Sequence, residues 1–446
     1  MPTESAWTPR GKIRRAAIVG AGARGNHVFA ELMRTRATGW EVSAVVEPDR
    51  IRREAFREQQ QLPVERAFAS IDEFLRADRV ADFAFICTPD PTHFELCDAI
   101  SSAGYDVLLE KPIATSLPEC LALLDVQRTH GNRIYVAHVL RYSPFFRTIR
   151  ELLWSGEYGD VRSLQLLELI GHWHFAHSYV RGNWSRRADS APLVLTKCSH
   201  DLDIITWLMP EQQVQKVSSV GSLSYFRSEL APEGAAKRCL DCSLQRTCLY
   251  SASELYLTDR GGWPYDSVAS GSRSLSARRE ALRTGPYGRC VWHCDNDVCD
   301  NQSVTLQFES GLHATLGMYA HTADVTRRIS VLLDEAEITG DLHRGEITVS
   351  PFTGTPGLVQ PFAAPLEAPG DPHGGGDLAL LRTLHEHLDT GAHAEVMTSL
   401  ETAVISHVLA FLADDSRLQG GKPLPVPAIF DGVSMAGPGE RRTEAR

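Results

Sequence analysis

Six residues, Gly20-Ala21-Gly22-Ala23-Arg24-Gly25, constrain this chain more than any others. They follow a β-rich run at 15–19 and open a helical stretch at 26–36. In such a strand–turn–helix unit the first glycine permits the tight turn and the second lets backbone approach a diphosphate. The third lets the helix pack close to the strand, and the phosphates face the helix N-terminus. Glu47 ends the next β-rich run, 41–46, and lies 22 residues beyond Gly25. A carboxylate there suits a ribose 2′-hydroxyl and repels a 2′-phosphate, so the pattern predicts NAD rather than NADP. Gly20, Gly22, Ala23, Arg24, Gly25 and Glu47 are the expected cofactor-binding set.

The surrounding sequence repeats the same alternation. Apolar runs at 83–87, 106–109 and 133–137 are separated by helical stretches, the pattern of strands buried on both faces of a parallel sheet. An α/β fold follows, with an N-terminal Rossmann domain, a doubly wound parallel sheet, over residues 1–140. Beyond 142 the texture changes. Helical segments at 145–155 and 195–208 flank an alternating run at 161–169 and a loop rich in His, Trp and Arg. Further strands are expected at 214–225, 302–308, 312–318 and 328–333. These predict a C-terminal α+β domain with a largely antiparallel open sheet over 141–430. A cysteine-containing insertion occupies about 235–300, its part at 261–290 reads as a long surface loop, and 431–446 as a disordered tail.

Length and composition exclude several classes. The 446 residues suffice for two or three domains, and 43% hydrophobic with 23% charged residues is ordinary for a globular chain. No apolar run approaches the roughly eighteen residues of a membrane span. The net charge of −11, with no block of Lys and Arg, gives no purchase for nucleic acid. Arg14-Arg15 resembles a twin-arginine signal, but the apolar run behind it ends at Arg24, which is short for an export segment. A cytoplasmic protein is expected.

Two further motifs lie beyond strand ends. Cys87-Thr88-Pro89-Asp90-Pro91-Thr92-His93 follows the run at 83–87, and Leu109-Glu110-Lys111-Pro112 follows that at 106–109. Ligands of doubly wound sheets bind beyond the carboxyl ends of the strands, and Pro112 biases Lys111 toward an extended conformation. With all three motifs in register the chain resembles the Gfo/Idh/MocA family, named for glucose–fructose oxidoreductase, inositol dehydrogenase and a rhizopine-catabolism protein. The resemblance covers 14 to about 210 clearly and extends faintly to about 415. It implies that Lys111 contacts the hydroxyl being oxidised and that Thr88, His93 and Glu110 lie along the cofactor. The family's second catalytic element is an Asp followed four residues later by His. Here Thr196 stands in the Asp position, a departure, and His200 fits. Were the stretch helical, Lys197, His200 and Asp203 would share a face. An ammonium nearby would keep His200 neutral and able to accept a proton. Lys111, His200 and Lys197 are therefore the expected catalytic residues.

The loop from Gly171 to Trp184 joins aromatic faces to polar donors, as a sugar requires. Tyr142, His172, Arg181 and Trp184 are expected as substrate walls, and Arg181, Arg186 and Arg187 could hold an anionic substituent. Cys239, Cys242 and Cys248 give C-x2-C-x5-C, and Cys290 follows from afar, with His293 or Cys294 as the other choices for a fourth ligand, which suits a structural zinc site. Free thiols in a loop are the plain alternative. The expected function is NAD-dependent hydride transfer with a sugar, sugar-acid or polyol hydroxyl. The resemblance also admits an NAD-dependent glycoside hydrolase, conceivably on an anionic sugar such as a sulfoquinovoside, and a non-catalytic NAD-binding regulator is a third reading. The resemblance further implies a homo-oligomer, dimer or tetramer, built on the open sheet.

Overall fold

The computed structural model describes residues 7–269, 272, 274–355, 357–359 and 373–427, so the expected tail lies outside the described residues. The N-terminal sheet comprises β1 (Arg14–Val19), β2 (Trp40–Val46), β3 (Ala67–Phe68), β4 (Phe83–Ile86), β5 (Asp106–Leu109) and β6 (Ile134–Val136). Its order is β3-β2-β1-β4-β5-β6 and its pairs are parallel. All four residues of β4 are buried, as continuous apolar strands covered on both faces must be. The order reverses between β1 and β4, which opens a crevice at their carboxyl ends. The glycine turn, the segment after β4 and the segment after β5 meet there.

The second sheet has nine strands: β7 (Val161–Leu169), β8 (Val214–Ser222), β9 (Asn301–Phe308), β10 (His313–Tyr319), β11 (Thr326–Leu333), β12 (Ala336–Asp341), β13 (Glu346–Pro351), β14 (Gly357–Val359) and β15 (Leu424–Pro425). The order is β14-β13-β12-β11-β7-β10-β9-β8-β15, antiparallel except where β10 runs parallel to β7. Along β9 the even-numbered residues are buried while Ser303, Thr305 and Gln307 face outward. One face is packed and the other is open and polar.

The chain then returns to its beginning. Helix Leu400–Leu418 lays Leu400, Ala403, Val404 and Val408 into the apolar cluster behind β4 and β5. Helix Gly376–Thr390 takes a hydrogen bond from the Trp40 indole at the Leu381 carbonyl (2.9 Å). The N-terminal sheet is thus finished by residues far outside 1–140.

The insertion departs from the expected loop. It contains helix Leu275–Thr284, whose Arg278 is buried. That guanidinium donates to Asp266 (2.8 Å) and to the carbonyls of Tyr256 (3.2 Å), Thr258 (3.0 Å) and Arg260 (2.8 Å). Charge-assisted hydrogen bonds order this segment in place of an apolar core, so hydrophobic periodicity did not signal it.

Candidate active site

The glycines of the first turn divide by role. Gly20 has φ +96°, and a Cβ there would lie 2.8 Å from the Cys87 carbonyl oxygen. A Cβ on Gly25 would lie 2.1 Å from the Gly20 carbonyl oxygen. A Cβ on Gly22 would meet nothing within 4 Å, so its bare backbone faces open space. Ala23 begins the helical turn Ala23–Ala30. Glu47, 7% exposed, accepts the Ala21 N–H (2.9 Å) and the Asp49 N–H (3.0 Å). An open glycine backbone at a helix start, with a carboxylate at the tip of β2, fits a dinucleotide. Arg24 spans the crevice, donating to Glu110 Oε1 (2.5 Å) and to Asp377 Oδ1 (2.6 Å).

Lys111, joined to Pro112 by a cis peptide bond, donates from Nζ to the Thr196 carbonyl (2.7 Å). Burial pulls its ammonium down to about 8, and the charge of Lys197 adds to the effect. Glu110 accepts the Lys111 N–H (3.2 Å). His93 does not lie open along the crevice. It is fully buried, with its ring nitrogens 2.7 Å from the Pro112 carbonyl and 2.9 Å from that of Thr88. It clamps the two crevice segments together, and Thr88 also accepts a hydrogen bond from the Thr92 hydroxyl (2.8 Å).

The second domain meets Lys111 through a broken helix. Helical residues Leu193–Thr196 and helix Ser199–Leu208 are separate, so Lys197, His200 and Asp203 do not share a continuous face. Thr196 contributes its carbonyl. Lys197 Nζ pairs with Glu168 Oε1 (3.1 Å), Glu168 Oε2 pairs with Arg327 (2.8 Å), and Arg327 pairs with Asp201 (2.7 Å). Burial opposes charge on Glu168, but Arg327 and Lys197 hold its carboxyl below the usual range. His200 is buried, 3.4 Å from the His138 ring nitrogen. Desolvation drives its pKa well below 6.5, assisted by Lys111, so it is neutral as expected. Asp203 serves elsewhere, in a bidentate pair with buried Arg141 (2.7 and 2.6 Å).

Of the four expected wall residues, one stands at the crevice beside Lys111. Trp184 donates from its indole to Asp90 (2.8 Å), whose carboxyl is raised by burial. His172 lies within the second domain, its ring nitrogen 3.4 Å from the Thr322 carbonyl. Tyr142 is buried against Thr398, its hydroxyl 3.0 Å from Oγ1 and accepting the Thr398 N–H (3.1 Å). Arg181 turns inward to the insertion, so it is not a wall: its donors suited a sugar or an anion, but buried carbonyls take them. Arg187 is engaged by Asp414 (2.8 Å). The four cysteines line one small cavity in the insertion; among the described residues no group of three or more His, Cys, Asp or Glu side chains stands ready to hold a metal.

Two groups escaped the sequence reading. His373 lies with its ring centre 5.6 Å from that of His200 and its Nδ1 2.9 Å from Asp377 Oδ2. Glu168 and Arg327 come from neighbouring strands β7 and β11. No linear motif joins these residues, since only the second sheet and the returning chain bring them to the crevice.

The crevice thus sets a Rossmann sheet and its lysine against an open antiparallel sheet. Residues 14–138 match the family model described as oxidoreductase family, NAD-binding Rossmann fold. It is 30% identical to the inositol 2-dehydrogenase of Corynebacterium glutamicum (strain ATCC 13032) over 44% of this chain and 54% of that protein. The chain thus matches about half the length of that relative. YteT of Bacillus subtilis (strain 168) is 24% identical over 67% of this chain and 70% of its own length. The fold resembles an inositol dehydrogenase homologue from Azotobacter vinelandii, solved with NAD+, with TM-score 0.67 and 14% identity over 94% of this chain and 99% of that one.

Proposed function

We propose that this protein oxidises a hydroxyl of a sugar, sugar acid or polyol with NAD, acting in the cytoplasm as a homo-oligomer. When bound, the nicotinamide supplies the hydride acceptor. Lys111 donates to the substrate oxygen and holds the reacting carbon toward the crevice. His200, kept neutral by burial, takes the hydroxyl proton as the hydride leaves. Its depressed basicity makes it a poor resting place for that proton. His373, its ring centre 5.6 Å from that of His200 and its Nδ1 2.9 Å from Asp377, stands next along the path by which the proton leaves. The observation that carries this reading is the junction itself, where Lys111 Nζ donates 2.7 Å to the Thr196 carbonyl, four residues before His200. Trp184 and Asp90 offer an apolar face and a polar edge beside it.

Among the described residues no helix is long and apolar enough to cross a membrane. The open face of the nine-stranded sheet is the proposed subunit contact, which the elution volume on size exclusion checks.

The decisive assay mixes purified protein, NAD and a panel of inositols, sugars, sugar acids and aryl glycosides. NADH fluorescence on a polyol or sugar is the expected result. Aglycone release without net NADH would assign the glycosidase chemistry instead. Neither signal anywhere on the panel would leave a nucleotide-binding regulator as the better account.

A further inference from the structure

We propose that Cys239, Cys242, Cys248 and Cys290 form a structural Zn2+ site that ties the two ends of the insertion together. The fold gathers them from three places. Cys239 opens a short turn in which the Cys242 N–H donates to the Cys239 carbonyl (3.2 Å). Cys248 closes the next turn on the Leu244 carbonyl (2.9 Å). Cys290 arrives from the far side of the insertion, where Arg238 and Arg289 form an antiparallel bridge and the Cys290 N–H donates to the Lys237 carbonyl (2.9 Å).

All four side chains line a single cavity of about 20 Å³, otherwise walled mainly by apolar residues such as Pro232, Ala235, Leu244 and Trp292. That is about the room of one water molecule, in a lining too apolar to hold one. The thiols ring this space without meeting at ligand distance. A tetrahedral zinc thiolate centre would need their sulfurs turned inward to roughly 2.3 Å from the metal.

Arg181 supplies an independent observation. It is 1% exposed and donates to the carbonyls of Arg289 (2.7 Å) and Tyr250 (2.7 Å), and from Nη2 to Cys239 Sγ (3.5 Å). Its Nη1 is buried without a hydrogen-bond partner, and among the described residues its other donors meet carbonyls and a sulfur rather than a carboxylate. A guanidinium cannot shed its proton, and a buried charge without a counter-charge is costly. Four thiolates on one Zn2+ carry a net charge of 4 × (−1) + 2 = −2, and Cys239 would present that charge to Arg181.

The separate core of the insertion is small, five buried side chains (Cys239, Ala252, Tyr256, Val268 and Leu282), while Tyr250, Val291, Trp292 and Val298 pack into the main core. Cys294, whose thiol donates to the Cys290 carbonyl (3.3 Å), and Cys299, packed in the main core, lie outside the ligand set.

The test uses the full chain, purified free of any affinity tag after growth with added zinc. Elemental analysis is expected to give one zinc per chain, which a mercurial releases. Replacement by Co2+ should produce thiolate-to-cobalt charge transfer and the visible bands of a tetrahedral centre. Cys242→Ser and Cys248→Ser should each release zinc, while Cys294→Ser keeps it. The wild-type chain decides the matter whether or not those variants fold. A chain that carries no zinc after such growth, a disulfide among the four, or iron in place of zinc would overturn the proposal.

Discussion

Lys111 is the residue on which the chemistry turns. Lys111→Ala should lower turnover about 10³-fold, within the range expected for a proton-positioning group, while NAD affinity by fluorescence titration changes less than about twofold, since the lysine is assigned to the substrate hydroxyl. Its pKa near 8 sets a sign. The proposed role needs the ammonium, present below that value, so the oxidation rate should fall as pH rises through about 8. A rate that rises through the same window would make Lys111 the base. Asp203 shows the opposite lesson, because its spacing from His200 suggested chemistry and the fold uses it to neutralise Arg141. Asp203→Ala leaves that guanidinium buried and unpaired, so chemical denaturation should register a loss of about 3–5 kcal/mol.

The elements with strong local signals were legible in the sequence. The βαβ rhythm, the glycine turn and the runs at 106–109 and 161–169 needed only periodicity and turn chemistry, because both sheet faces or one face of each strand are buried. Strands β12 and β13 escaped, being short and half-polar, with Gly340 interrupting the first. The break at Lys197 escaped too, since nothing in Leu195-Thr196-Lys197-Cys198-Ser199 forbids a continuous helix. The glycine turn yields a paired prediction. Gly22→Ala places its Cβ in open space and should melt like the wild type yet bind NAD at least about tenfold more weakly, because that space is where a diphosphate approaches. Gly25→Ala drives its Cβ against the Gly20 carbonyl and should lower the melting temperature as well.

At the scale of the whole molecule the N-terminal domain is not self-contained. Leu400, Ala403, Val404 and Val408 complete its core, and each buried Leu or Val contributes roughly 1.5–3 kcal/mol. A fragment of residues 1–140 should therefore fail to show a cooperative melt by circular dichroism. A sharp transition in that fragment would mean that the returning helix is dispensable. The same return carries Asp377 to Arg24 and His373 to His200, so the long-range closure that stabilises the first domain also furnishes the crevice.

By itself the sequence determined the class of fold, the dinucleotide turn with its acid, and the crevice lysine. Each is written in a few consecutive residues whose backbone geometry and burial are local demands. Only the tertiary structure decided which charged side chains reach the crevice. Arg181, Asp203 and His93 carry the same donors and acceptors as catalytic groups, but burial spends them on carbonyls, a guanidinium and two loops. His373 and Glu168 gain their place beside His200 and Arg327, each more than 150 residues away in the chain, where no linear spacing records proximity.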